Sequence, residues 1–76
     1  MNIHVQGIRG TADVRVEIFT LAFRKVQERT FQRVPEGSDI SVELRDRGGY
    51  ELANGLYYVR VQVGAQHQIV KLLVMR

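Results

Sequence analysis

The chain contains no cysteine and no tryptophan, a single proline and no extended apolar run. Without cysteine there can be no disulfide, no zinc-thiolate site and no thiol nucleophile, although the redox compartment stays open. The longest apolar run, Leu72 to Met75, is far below the ~20 residues that a membrane-spanning helix needs. The opening MNIHVQGIRG lacks the apolar centre of a signal peptide, so any export signal is expected outside this sequence. Phosphate-cradling glycine loops of the Walker and dinucleotide types are missing as well. Ser38 and Ser41 have no histidine at a recognisable motif spacing, and His4 and His67 read as exposed, unpaired side chains. The expectation is a non-catalytic domain with no cofactor, no metal and no small-molecule substrate.

What is present suits one small globular domain. Seventy-six residues leave room for a single core, and a chain this short buries only about 60% of its unfolded surface. Hydrophobic residues at 45% and charged residues at 25% argue against disorder. The net charge is +3, but the basic residues do not cluster. Arg15 neighbours Glu17, Arg29 neighbours Glu28, and Arg45 and Arg47 flank Asp46. That interleaving predicts a mixed solvated surface and disfavours nucleic acid as a partner.

Alternation is the main structural signal. Ile3 and Val5 alternate with polar neighbours, and Val14, Val16 and Ile18 point one way while Asp13, Arg15 and Glu17 point the other. Ile40, Val42 and Leu44 repeat the pattern, as do Tyr57, Val59, Val61 and Val63 against Tyr58, Arg60 and Gln62. A last strand is expected from about His67 to Met75. Turn material separates these runs at Arg9-Gly10-Thr11, around Pro35, at Arg47-Gly48-Gly49, at Asn54-Gly55 and at Gly64-Ala65-Gln66. Leu21 to Arg33 is ambiguous. Phe23, Val26, Thr30 and Val34 fit a helical stripe, and propensity slightly favours that helix; read as a strand, the segment puts Val26 inward among Lys25, Gln27 and Arg29. Short alternating strands at this spacing predict an antiparallel all-β sandwich or barrel.

The stretch ELANGLYYVRVQV raises the question of chemistry. Asn54-Gly55 reads as a tight turn that sets strand register, because both residues tolerate positive φ. Asp46 can bond its own backbone, with Gly48 and Gly49 in left-handed conformations beside it. Leu52 is expected to plug this loop, Tyr57 to enter the core with its hydroxyl satisfied, and Tyr58 to face outward. A calcium site built from Asp46, Glu51 and Asn54 lacks the dense oxygen-ligand spacing of a calcium loop. Asp46, Gly48, Gly49, Asn54 and Gly55 are therefore read as structural turn residues.

Three segments carry a family resemblance. VRVEIFTLAFRKVQE resembles an alternating strand, a short turn ending on a basic residue, and a valine on the next strand. RDRGGYELANGLYYVRVQV resembles an Asp-x-x-Gly loop followed by an Asn-Gly turn and a tyrosine strand, and QHQIVKLLVMR a closing strand with a lysine before an aliphatic run. Together they resemble the immunoglobulin-like module of bacterial flagellar hook-capping proteins, a fold type also used as the C-terminal sorting domain of type IX secretion cargo. Two features depart from that pattern: Val42 or Leu44 stands where the family often has Trp-Asp-Gly, and Phe23 takes a turn position commonly held by glycine. The resemblance makes Leu21 to Arg33 a strand. It implies one antiparallel immunoglobulin-like β-sandwich of about six to seven strands over residues 1–76, the C-terminal part of a larger extracellular or cell-surface protein. Its implied role is sorting, anchoring or assembly through contacts with secretion or assembly machinery, or with copies of itself by edge-strand pairing. The candidate interaction surface is Tyr58, Arg60, Lys71 and Arg76. The rival is a small basic β domain that stacks single-stranded nucleic acid on Tyr57, Tyr58 and Phe19 beside Arg15, Arg60 and Lys71. The two tyrosines fall on opposite faces of one strand, which counts against it.

Overall fold

A computed structural model describes residues 1–75, and none of these residues is helical. Six strands follow in order: β1 (Asn2–His4), β2 (Thr11–Thr20), β3 (Lys25–Pro35), β4 (Asp39–Ser41), β5 (Gly55–Val63) and β6 (Gln66–Val74). They form two antiparallel sheets, a short β1–β4 ribbon and a four-stranded sheet ordered β3-β2-β5-β6. The protein is a small antiparallel β-sandwich.

The alternating residues build its core. Val14, Val16 and Ile18 of β2 and Val59 of β5 are wholly buried on the inner face of the large sheet. Val74 of β6 adds to that face, and Val5, Ile40 and Val42 from the small ribbon and its flanks close the core from the other side with Leu52. Leu52 is buried as the loop plug, and its N–H donates to Leu44 O. Tyr57 is 9% exposed, and its hydroxyl donates to Ala53 O at 2.8 Å. That bond joins the start of β5 to the chain just before it, as in the tyrosine corner of sandwich folds.

Leu21 to Arg33 contributes a turn and most of β3, so tertiary pairing overrides helix propensity. Thr20 is the hub of that turn. Phe23 N–H donates to Thr20 O, Arg24 N–H to Thr20 Oγ1, and Thr20 N–H to Arg24 O. Along β3 the inward position differs from expectation. A bulge between the Ile18–Gln27 and Phe19–Lys25 pairs leaves Val26 without a partner on β2, its carbonyl accepting instead from Arg47 N–H, and turns Gln27 inward. Gln27 is buried and satisfied, its Nε2 donating to Arg45 O at 2.9 Å, while Val26 is half-buried.

Two turn assignments also change. Gly49 has a positive φ of 86°, but Gly48 does not. Gly55 has φ +148°, a backbone open to glycine, whereas Asn54 keeps a negative φ and Asn54-Gly55 is not a two-residue hairpin turn. The true tight hairpin is Gly64-Ala65, closed by Val63 opposite Gln66. With φ +57° at Gly64 and no positive φ at Ala65, this is a type II′ turn.

Candidate functional site

Cross-strand register brings several candidate residues together on the outer face of the large sheet. Tyr58 on β5 lies opposite Phe19 of β2 on one side and Lys71 of β6 on the other. One step along, Arg60 lies between Glu17 and Ile69. Tyr58, Arg60 and Lys71 thus share one face, and Arg76 lies outside the described residues. Tyr57 points into the core, so a platform using both tyrosines is ruled out.

Above Tyr58 sits a residue whose place the sequence did not disclose. Phe23 has φ +61°, a conformation that costs a bulky side chain roughly 1–2 kcal/mol. Its ring stacks on Tyr58 with centroids 5.0 Å apart and planes within 3°. Such a pair contributes about 0.5–1.5 kcal/mol beyond area burial, enough to offset part of the backbone strain. Phe23 is nonetheless 68% exposed. Leu56 and Leu73, directly opposite each other on β5 and β6, are exposed as well. The one available signal was Phe23 standing at a turn position that favours glycine.

Beside this aromatic end lies a charged cluster. Glu17 is on the outer face, as the alternation required, yet it is only 4% exposed. Its Oε2 is 2.7 Å from Lys25 Nζ, and its Oε1 is 3.9 Å from Arg60 Nη1, too far for a hydrogen bond. Glu28 binds Arg15 at 3.1 Å and Lys25 at 3.6 Å. The hydrogen bond from Lys25 holds the Glu17 carboxyl below its ordinary value; burial opposes this, and the charges of Lys25, Arg60 and Arg15 reinforce it. Lys25 also stands 5.9 Å from the centroid of the Phe19 ring. Arg15, Lys25 and Arg60 are therefore engaged by carboxylates, whereas Lys71 makes no ion pair among the described residues.

The turn residues have a different role. Asp46 Oδ1 accepts from Gly48 N–H at 2.9 Å and from Tyr50 N–H at 3.0 Å, and Arg45 Nη1 donates to Gly49 O at 3.0 Å. Asp46 Oδ1 thus holds the loop through two backbone N–H groups. A Cβ at Gly48 would meet Tyr50 and Asp46 at 3.3–3.4 Å, so close approach rather than φ favours glycine there. His4 is not unpaired: its Nδ1 lies 2.7 Å from Asp39 Oδ1 across the small ribbon. No group of three or more metal-ligating side chains occurs among the described residues. Compared with known proteins, the chain matches no family model, no curated protein and no solved structure.

Proposed function

We propose that this domain is a non-catalytic protein-interaction module of the immunoglobulin-like type, serving sorting, anchoring or assembly of a secreted or cell-surface protein. The observation that carries the reading is Phe23, a strained and largely exposed aromatic stacked on Tyr58 beside Leu56 and Leu73. An outlier backbone that presents an apolar side chain to solvent is a reason to look for a binding role. Tyr58 and Phe23 would anchor the partner, with Lys71, a cation without an ion pair among the described residues, at the margin.

One observation favours the nucleic-acid reading more than the sequence did: Phe19, Tyr58, Arg15, Arg60 and Lys71 do lie on one face. Glu17 and Glu28 offset it by engaging the central cations, so a nucleic-acid backbone would meet little unpaired positive charge. Photocrosslinking from position 58 in cells separates the two readings. The expected result is a discrete protein adduct that Phe23→Gly or Lys71→Glu abolishes and Arg29→Ala leaves intact. Adducts to nucleic acid, or one adduct pattern in every variant, would overturn the proposal.

A further inference from the structure

The outer edge of β6 offers few obstacles to a further strand. β6 is the last strand of the large sheet, and among the described residues β5 is its only strand partner. Its pairing with β5 runs from Val63–Gln66 to Gly55–Val74 without a register shift. Residues that close a two-residue hairpin form a hydrogen-bonded pair, so Gln66, Gln68, Val70, Leu72 and Val74 bond to β5. His67, Ile69, Lys71 and Leu73 direct their N–H and C=O groups to the open side. β6 is lightly guarded: it contains no proline and no bulge, and its single charge is Lys71. Ile69, Val70 and Leu73 are exposed, Val70 by 41% although it sits on the core-facing side. There it lines a cleft of about 480 Å³ between β1 and the β5–β6 hairpin, with Ile3, Val61 and Val63.

We infer that β6 pairs antiparallel with β6 of a second copy about a two-fold axis through Val70, joining two four-stranded sheets into one. The self-match is in length, hydrogen-bond parity and charge. Centring on Val70 places Gln66 opposite Val74 and overlaps the whole of β6. Residues whose backbone groups face outward then meet one another, Ile69 with Lys71 and His67 with Leu73, giving about eight new backbone hydrogen bonds. Val70 meets Val70 as a non-hydrogen-bonded pair, where side chains approach most closely and its exposed surface is covered. The neighbouring registers are worse. A centre on Lys71 sets two lysines directly opposite, and a centre on Ile69 leaves both strand ends unpaired. Odd shifts put outward-bonding residues against inward-bonding ones and are excluded by the pleat. This inference rests on the interaction-module reading and supplies one partner for it, a second copy of the chain.

The absence of native cysteine makes the register directly testable. Sedimentation of the wild type should show a concentration-dependent dimer. On oxidation, Val70→Cys should crosslink to itself, because opposed Cα atoms about 4.5 Å apart suit a disulfide. Gln68→Cys and Leu72→Cys should crosslink when mixed but not separately. Ile69→Lys, at an exposed site, should weaken the dimer at least tenfold by facing Lys71, whereas Ile69→Glu should keep or tighten it. A wild type that stays monomeric to millimolar concentration overturns the dimer and leaves the Phe23–Tyr58 face to its own variants. Equal self-crosslinking of all three cysteine variants, or equal effects of Lys and Glu at Ile69, overturns this register.

Discussion

The two edges of the large sheet, β3 and β6, face the same hazard and meet it differently. β3 is interrupted by a bulge at Val26 and by a second irregularity where Arg33 takes φ +54° and donates its N–H to Asp13 Oδ1. It ends on Pro35 and carries Lys25, Glu28, Arg29 and Arg33. Each of these is a recognised way of making a strand edge a poor template. β6 is straight in register, mostly apolar and nearly uncharged. One sheet thus has a closed side and an open side. That asymmetry is what the proposed pairing of β6 with a second copy would use.

The sharpest test of which groups face that edge is a pair of prolines. Leu72→Pro removes a bond to β5 opposite buried Tyr57 and should cost about 3 kcal/mol or prevent folding altogether. Ile69→Pro removes only an outward N–H and should cost about 1 kcal/mol while ending self-association. Chemical denaturation measures both, and a larger loss for Ile69→Pro than for Leu72→Pro would mean that the outward and inward sets are exchanged.

The guarded edge also braces the buried Glu17. Lys25→Met should destabilise the fold by about 2 kcal/mol, below the 3–5 kcal/mol of a fully buried pair because Lys25 is partly exposed and Arg60 remains. The effect should depend on pH. The Glu17 carboxyl is depressed below its ordinary 4.5 in the folded state, so its contribution is full above that value. It is lost as pH falls through the lower, folded value. The difference between wild type and Lys25→Met should therefore be widest near neutrality and narrow in acid. A gap independent of pH would mean that the lysine acts through packing alone.

Smaller effects separate binding from folding on the outer face. Phe23→Gly relieves the left-handed strain but loses the Tyr58 stack and adds unfolded-state freedom, terms of similar size and opposite sign. Its thermal midpoint should stay close to the wild type, within about 1 kcal/mol in stability, while the photocrosslink is lost. A penalty of several kcal/mol would make Phe23 a structural residue and remove the main support for the interaction surface. Arg29→Ala, exposed on the guarded edge, should change stability by about 0.5 kcal/mol or less and leave association unaltered.

Much of the β-sheet was legible because alternation is a local property. Val14, Val16 and Ile18 are buried as their period of two required, and Tyr57 and Tyr58 take opposite faces for the same reason. Leu52 and the Asp46 loop were readable from side-chain chemistry close in sequence. The Leu21 to Arg33 segment was not readable from propensity, which weakly favoured a helix and yielded to pairing with β2. The bulge that turns Gln27 inward depends on Arg45 O, supplied by a distant loop. Tyr58, Arg60 and Lys71 could be named from sequence, but Phe23 joins Tyr58 only after β2 and β5 pair.

Composition and spacing therefore establish how each strand divides its side chains between core and solvent, because a pleated backbone turns neighbouring residues to opposite sides wherever it lies. They leave open which strands become neighbours and which are left at the rim. That depends on contacts between segments far apart in the chain: β2 pairs with β5 across β3 and β4, and β6 is left outside them both. The burial of Glu17, the ring stacked on Tyr58 and the open edge at Ile69 all follow from that order, since each arises from pairing partners that no local pattern specifies.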